Sequence, residues 1–224
     1  MVSITRTVNG EASSFAIEDA EEKLRWRGSL PGASIWDRNA HLLRSLQANG
    51  IAATDLLSLA MPASWCVNTK ASSRAMQRWL AEPAFSAWSE LLDVLAFELS
   101  VEDWRSVSGN DRARIEENLE KLASGYEGST LVAITKVLAL LRPQLVPLMD
   151  DAALWFALEL VPEPKTADAP IATSKMFLPM MDWFARQVVT NERALVELAT
   201  KHTLAVLDAP QTLDRLLWVV SWGK

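Results

Sequence analysis

The chain has 224 residues, half of them hydrophobic, and sets 22 Lys and Arg against 28 Asp and Glu for a net charge of −6. That apolar content with only eight glycines excludes a disordered or collagen-like chain, and the single cysteine, Cys66, excludes an internal disulfide framework or cysteine metal cluster and points to a reducing compartment. The acidic balance argues against a general phosphate-binding surface, since nucleic-acid affinity comes mostly from Lys and Arg displacing counterions, and ten Trp beside one Tyr and two His leave few groups that titrate near neutrality.

Residues 1–17 mix Thr, Ser, Asn and Gly with isolated apolar positions and read as an irregular or short-strand arm, peripheral to the fold. They hold no apolar core of signal-peptide length, so a cytoplasmic chain is expected. Helical spacing begins at Glu18 and runs to Arg27, stopped by Gly28; a second helix spans Ile35 to Ala48, stopped by Asn49-Gly50. Thr54-Asp55 opens a short apolar helix halted near Pro62. Arg74 to Leu80 and Phe85 to Leu99 follow, the latter with Trp88, Leu91, Leu92, Leu95 and Leu99 on one stripe. Asn110-Asp111 caps Arg112 to Ala123, a helix with acids outside and Ile115, Leu119 and Leu122 inside.

After a turn at Gly125-Tyr-Glu-Gly128, Thr130 to Leu141 is apolar almost all round, which makes it the central helix; it is too short to span a membrane. Pro143 ends it, Gln144 to Met149 should be extended between two prolines, and Asp150-Asp151 opens Ala152 to Leu160. Three prolines within 162–170 mark a long surface loop. Helices over Ser174 to Val189, Glu192 to Val206 with Asn191 as cap, and Ala209 to Trp222 with Asp208 as cap complete the chain. The expected fold is all-α: a compact multi-helix domain over 18–224, with the arm before it.

The phosphate-loop, dinucleotide, zinc-protease and serine-hydrolase motifs are missing. His41, four residues after Asp37, is placed to pair with it on one helix, and His202 sits near a helix end. No cofactor and no metal centre is expected from two separated histidines. Cys66 between Trp65 and Val67 reads as a small buried residue, and Met176, Met180, Met181, Trp183 and Phe184 as core packing.

The segment from Gly125 to Ala157 carries most of the chemistry on offer. A turn between antiparallel helices exposes backbone N–H groups that can hold a phosphate, and an aspartate just beyond can act as a general base. Gly128, Ala133-Ile-Thr-Lys136-Val-Leu138 and Arg142-Pro143-x-Leu145-x-Pro147-x-x-Asp150 resemble the central motif of a family of uncharacterised bacterial proteins; Ile51-Ala-Ala-Thr-Asp55-Leu-Leu and Leu213-Asp214-Arg-Leu-Leu-Trp218 resemble its other recurring pieces. That resemblance implies a shared fold and brings no activity with it. More distantly, the hairpin followed by Arg142 to Asp150 resembles the segment of helix-hairpin-helix DNA glycosylases that leads to their catalytic aspartate, which implies two helical lobes about the central helix and DNA as a ligand. The chain departs from that pattern: Glu127 stands in the turn where a phosphate would sit, one residue is added before Asp150, and no lysine follows the turn directly.

The candidate site residues are therefore Asp150 and Lys136 as catalytic groups, with Gly125, Gly128 and Arg142 as binding groups. The bland roles are equally defined: Asp150 as a helix cap, Arg142 as a cation at the end of the central helix, and Lys136 as a snorkelling side chain whose pKa falls if it is buried. A binding or oligomerisation surface is the leading expectation for function. A DNA-binding or glycosylase-like protein built on 125–150, and a small-molecule enzyme using Asp150, Arg142 and Lys136, are the alternatives.

Overall fold

A computed structural model describes residues 1–65, 77–124, 130–160, 173–201, 208–221 and 223. The chain begins with two antiparallel strands, β1 (Val2–Val8) and β2 (Glu11–Ile17). Nine α-helices are described after them: α1 (Ala20–Gly28), α2 (Pro31–Ala48), α3 (Leu57–Trp65), α4 (Ala84–Val94), α5 (Gly109–Ala123), α6 (Thr130–Leu141), α7 (Asp151–Leu158), α8 (Phe177–Lys201) and α9 (Ala209–Ser221). The fold is all-α apart from the hairpin, and among the described residues no helix is long and apolar enough to cross a membrane.

The central helix is α6. Leu131, Ile134, Val137, Leu138, Leu140 and Leu141 have no exposed surface, each worth about 1.5–3 kcal/mol relative to exposure. Helices α2, α3 and α5 pack around it, while α9 touches α1, α7 and α8. The buried apolar side chains form one cluster from Val2 to Val220, with Trp88, Trp104 and Trp183 among its largest members. Met180, Met181 and Phe184 lie within that core as well.

The N-terminal arm is the largest departure from the sequence reading. Asn9 and Gly10 both adopt positive φ, 51° and 80°, which is the two-residue turn whose twist matches a right-handed hairpin. Val2, Ile4 and Ile17 enter the core, and Phe15 meets Phe156 of α7 edge to face. The outward edge of β1 is bonded by side chains of α8. Asn191 accepts from Ser3 N–H at 2.9 Å and donates to its carbonyl at 2.8 Å, Gln187 accepts from Thr5 N–H at 2.9 Å, and Trp183 Nε1 donates to the Thr5 carbonyl. These three residues recur every fourth position along α8, so one helix face supplies a ladder to one strand edge.

That ladder explains why α8 is continuous where a break was expected. Asn191 is an interior residue whose amide answers a strand 188 positions away, and Pro179 is harmless because it lies in the first turn, where a backbone N–H has no helical partner. Three other boundaries move. Pro62 lies inside α3, whose buried Leu57, Ala60 and Met61 outweigh the lost hydrogen bond. Ser108, rather than Asn110-Asp111, caps α5 by accepting from Asp111 N–H at 3.1 Å. Residues 143–145 form a turn, with Leu145 and Val146 N–H both reaching the Arg142 carbonyl, and the chain runs without regular structure only from 146 to 150.

Candidate functional site

The segment 146–150 is held on both sides. Thr135 Oγ1 on α6 accepts from Met149 N–H at 3.3 Å, and Asp214 Oδ1 on α9 accepts from Leu148 N–H at 2.8 Å. Asp150 is then fixed as the N-cap of α7, accepting from Ala153 N–H at 2.8 Å. A cavity of about 310 Å³ opens between these elements. Arg27, at the end of α1, and Ala33 and Trp36, one turn apart on α2, form one wall; Val132 and Lys136, a turn apart on α6, form another; Asp214 and Trp218, a turn apart on α9, close it beside Leu148 and Asp150. Trp218 stacks on Trp26, ring centroids 6.3 Å apart.

The charges around this cavity are arranged in a network. Asp37 accepts from Arg27 Nη1 at 3.0 and 3.3 Å, and Arg215 Nη2 reaches the same carboxylate at 3.0 Å, so one acid bridges two largely buried guanidinium groups. Burial lowers the Arg215 pKa, and Asp37 opposes that shift. The expected Asp37–His41 pairing gives way to this bridge, and His41 is exposed. Behind Asp214 a second void of about 20 Å³, room for one water, adjoins Arg215, whose Nε and Nη1 have no hydrogen-bond partner among the described residues.

Enclosure changes the proton affinity of the cavity groups. Asp214 is pushed up to about 6, first by loss of water and also by the charge of Asp150, while the Leu148 N–H and the two arginines pull it down. Burial pushes the Lys136 ammonium down, and Asp150 holds it up. An acid raised to about 6 and an amine pushed below its ordinary value therefore face one cavity, from α9 and α6 respectively.

Of the residues singled out from the sequence, Lys136 and Asp150 line this cavity together. Arg142 lies elsewhere, in the protein interior at 3 % exposure. Its guanidinium donates to the Leu92 and Leu95 carbonyls at the end of α4, to Gln47 Oε1 and to its own helix's Leu141 carbonyl. Those bonds end α4 at Val94 instead of at Leu99. Burial pushes Arg142 down to about 10, opposed by Glu98 and Asp93. Gly125 and Gly128, with their turn, lie outside the described residues, as do Cys66, His202 and the proline-rich 162–170. Among the described residues no group of three or more His, Cys, Asp or Glu is placed to hold a metal ion.

Sequence reasoning did not single out Arg27 or Trp36 as site residues, and it quoted Asp214 and Trp218 only within the recurring piece Leu213 to Trp218. The available signal was Asp214 itself, a carboxylate flanked by Leu213, Leu216 and Leu217 on a helix that is otherwise largely buried. A model described as a family of unknown function, DUF6308, matches residues 25–223. No curated protein and no solved structure matches the chain.

Proposed function

The chain belongs to the DUF6308 family, and because that family has no activity to carry over we propose from the geometry that the protein binds a small organic molecule in the cavity between α2, α6 and α9. The observation that carries this reading is the convergence of Lys136, Asp150 and Asp214, from three separated stretches, on one partly open cavity of about 310 Å³. That volume is at the lower end of the range for small-molecule sites, and the lining has their usual character of apolar and aromatic walls with a few polar groups. Leu30, Trp36, Val132, Leu148 and Trp218 would hold the body of the ligand. Lys136, Asp150 and Asp214 would orient it and could exchange a proton with it. Arg142 has no part in this site.

The reading is tested by a fragment screen with ligand-observed NMR on the full chain and on Val132→Phe, which fills the cavity. Fragments that bind the parent and lose their signal with the variant support the site. Equal binding to both proteins, or no binding to either, overturns it. Circular dichroism confirms that the variant is folded, and Ala33→Phe, from the opposite wall, serves as the second filling variant. Asp150→Asn keeps the helix cap, since Asn also caps; altered fragment affinity with an unchanged melting temperature would separate a ligand contact from a structural one.

A further inference from the structure

The charges lining the cavity narrow the class of ligand, given the small-molecule reading above. Two cations, Arg27 and Lys136, and two carboxylates, Asp150 and Asp214, face it, so the lining is neutral at pH 7. The neighbouring Asp37 and Arg215 add one charge of each sign. A ligand with a net charge would enter this partly buried space without compensation, and moving uncompensated charge out of water is unfavourable. An apolar ligand would cover four ionisable groups and offer them nothing in place of water.

Asp214 is the most specific of the four. One oxygen accepts from Leu148 N–H, and among the described residues the carboxyl makes no other hydrogen bond. Asp214 is walled in by protein yet keeps accessible surface, and the cavity is where it opens. It therefore offers an acceptor to a donor carried by the ligand. Lys136 offers the complementary charge: its ammonium lines the same cavity, in electrostatic contact with Asp150. Donor and acceptor are presented beside the indole walls of Trp36 and Trp218, which suit a flat apolar body.

We propose that the cavity takes a small zwitterion of amino-acid type with an apolar, aromatic side chain, its ammonium held by Asp214 beside Asp150, its carboxylate by Lys136, and its side chain by Trp36 and Trp218. Such a ligand brings one charge of each sign to a lining that has both, and leaves the site neutral.

The test uses four probes on one carbon skeleton, titrated calorimetrically into the full chain at pH 7.5: phenylalanine, 2-phenylethylamine, 3-phenylpropanoate and 3-phenylpropanamide. Phenylalanine is expected to bind at least tenfold more tightly than the cationic, anionic or uncharged analogue. Asp214→Asn should lower phenylalanine affinity at least tenfold without weakening 3-phenylpropanoate, because the ammonium contact is lost while the lining gains one net positive charge. A singly charged or uncharged probe that binds as well as phenylalanine overturns the zwitterion assignment and leaves the cavity a binding site of another class. Failure of all four probes also overturns the assignment, while the fragment screen with Val132→Phe decides separately whether the cavity is a site at all.

Discussion

Asp214→Asn tests the electrostatics of the cavity through stability alone. The folded-state carboxyl titrates near 6 against 3.8 for the ordinary group, so the folded chain holds that proton more tightly than the unfolded one. A group raised in this way contributes its full stability below pH 3.8 and loses it as pH rises through 6. At 1.36 kcal/mol per pKa unit, the ionised carboxylate costs about 3 kcal/mol at pH 8. Asparagine keeps the acceptor for Leu148 N–H and removes the charge. The variant should therefore be more stable than the parent by about 2–3 kcal/mol at pH 8, roughly 4–12 °C in melting temperature for a chain of this size. The gain should fall to about 1.5 kcal/mol at pH 5 and to a few tenths at pH 4, since both folded and unfolded carboxyls are then substantially protonated. Urea unfolding of both proteins at the three pH values measures the difference directly, and contributions common to both cancel. A gain below about 0.5 kcal/mol at pH 8, or one that does not shrink on acidification, would refute the argument. A stabilising substitution at a polar cavity residue is also what a site held at some expense of stability would show.

Two further substitutions probe the frame around the site. Arg142→Lys keeps the charge but cannot fork to four acceptors, so the Leu92, Leu95 and Leu141 carbonyls and Gln47 are left underbonded; a loss of about 2–4 kcal/mol by urea unfolding is expected. A loss under about 0.5 kcal/mol would show that water replaces the guanidinium. Asn191→Leu, with the same branched heavy-atom skeleton, removes both bonds to Ser3 and should cost about 1–3 kcal/mol, with hydrogen exchange faster at the Ser3 amide than at Ile4, which faces β2; unchanged Ser3 exchange would sink the ladder interpretation.

Local chemistry made some features legible and tertiary partners decided the others. Helix α6 could be recognised because its apolar residues leave no polar face, and the caps Asp150 and Asp208 because a carboxylate before a helix accepts from a backbone N–H three residues on. Lys136 stood out as a charge within an apolar run. Asn191 misled because, just before Glu192, it has the local look of a cap; only a strand at the other end of the chain accounts for an asparagine inside α8. The Asn9-Gly10 turn was visible in principle, but Glu11 to Ser14 are exposed and lack the alternation that marks a strand. Asp214 was legible only as one residue of the recurring piece Leu213 to Trp218. Its role emerges only where the unpaired N–H of Leu148 arrives from another part of the chain.

The hairpin also bears on where the chain can be cut. The family model starts at residue 25, after both strands. A chain trimmed to that boundary would strip cover from Phe156, remove Val2, Ile4 and Ile17 from the core, and leave the amides of Gln187 and Asn191 without the backbone groups they bind on an otherwise largely buried helix face. The trimmed segment would present a new sticky surface containing Trp183. A cut at the family boundary would therefore expose the faces of α7 and α8 that the first seventeen residues cover.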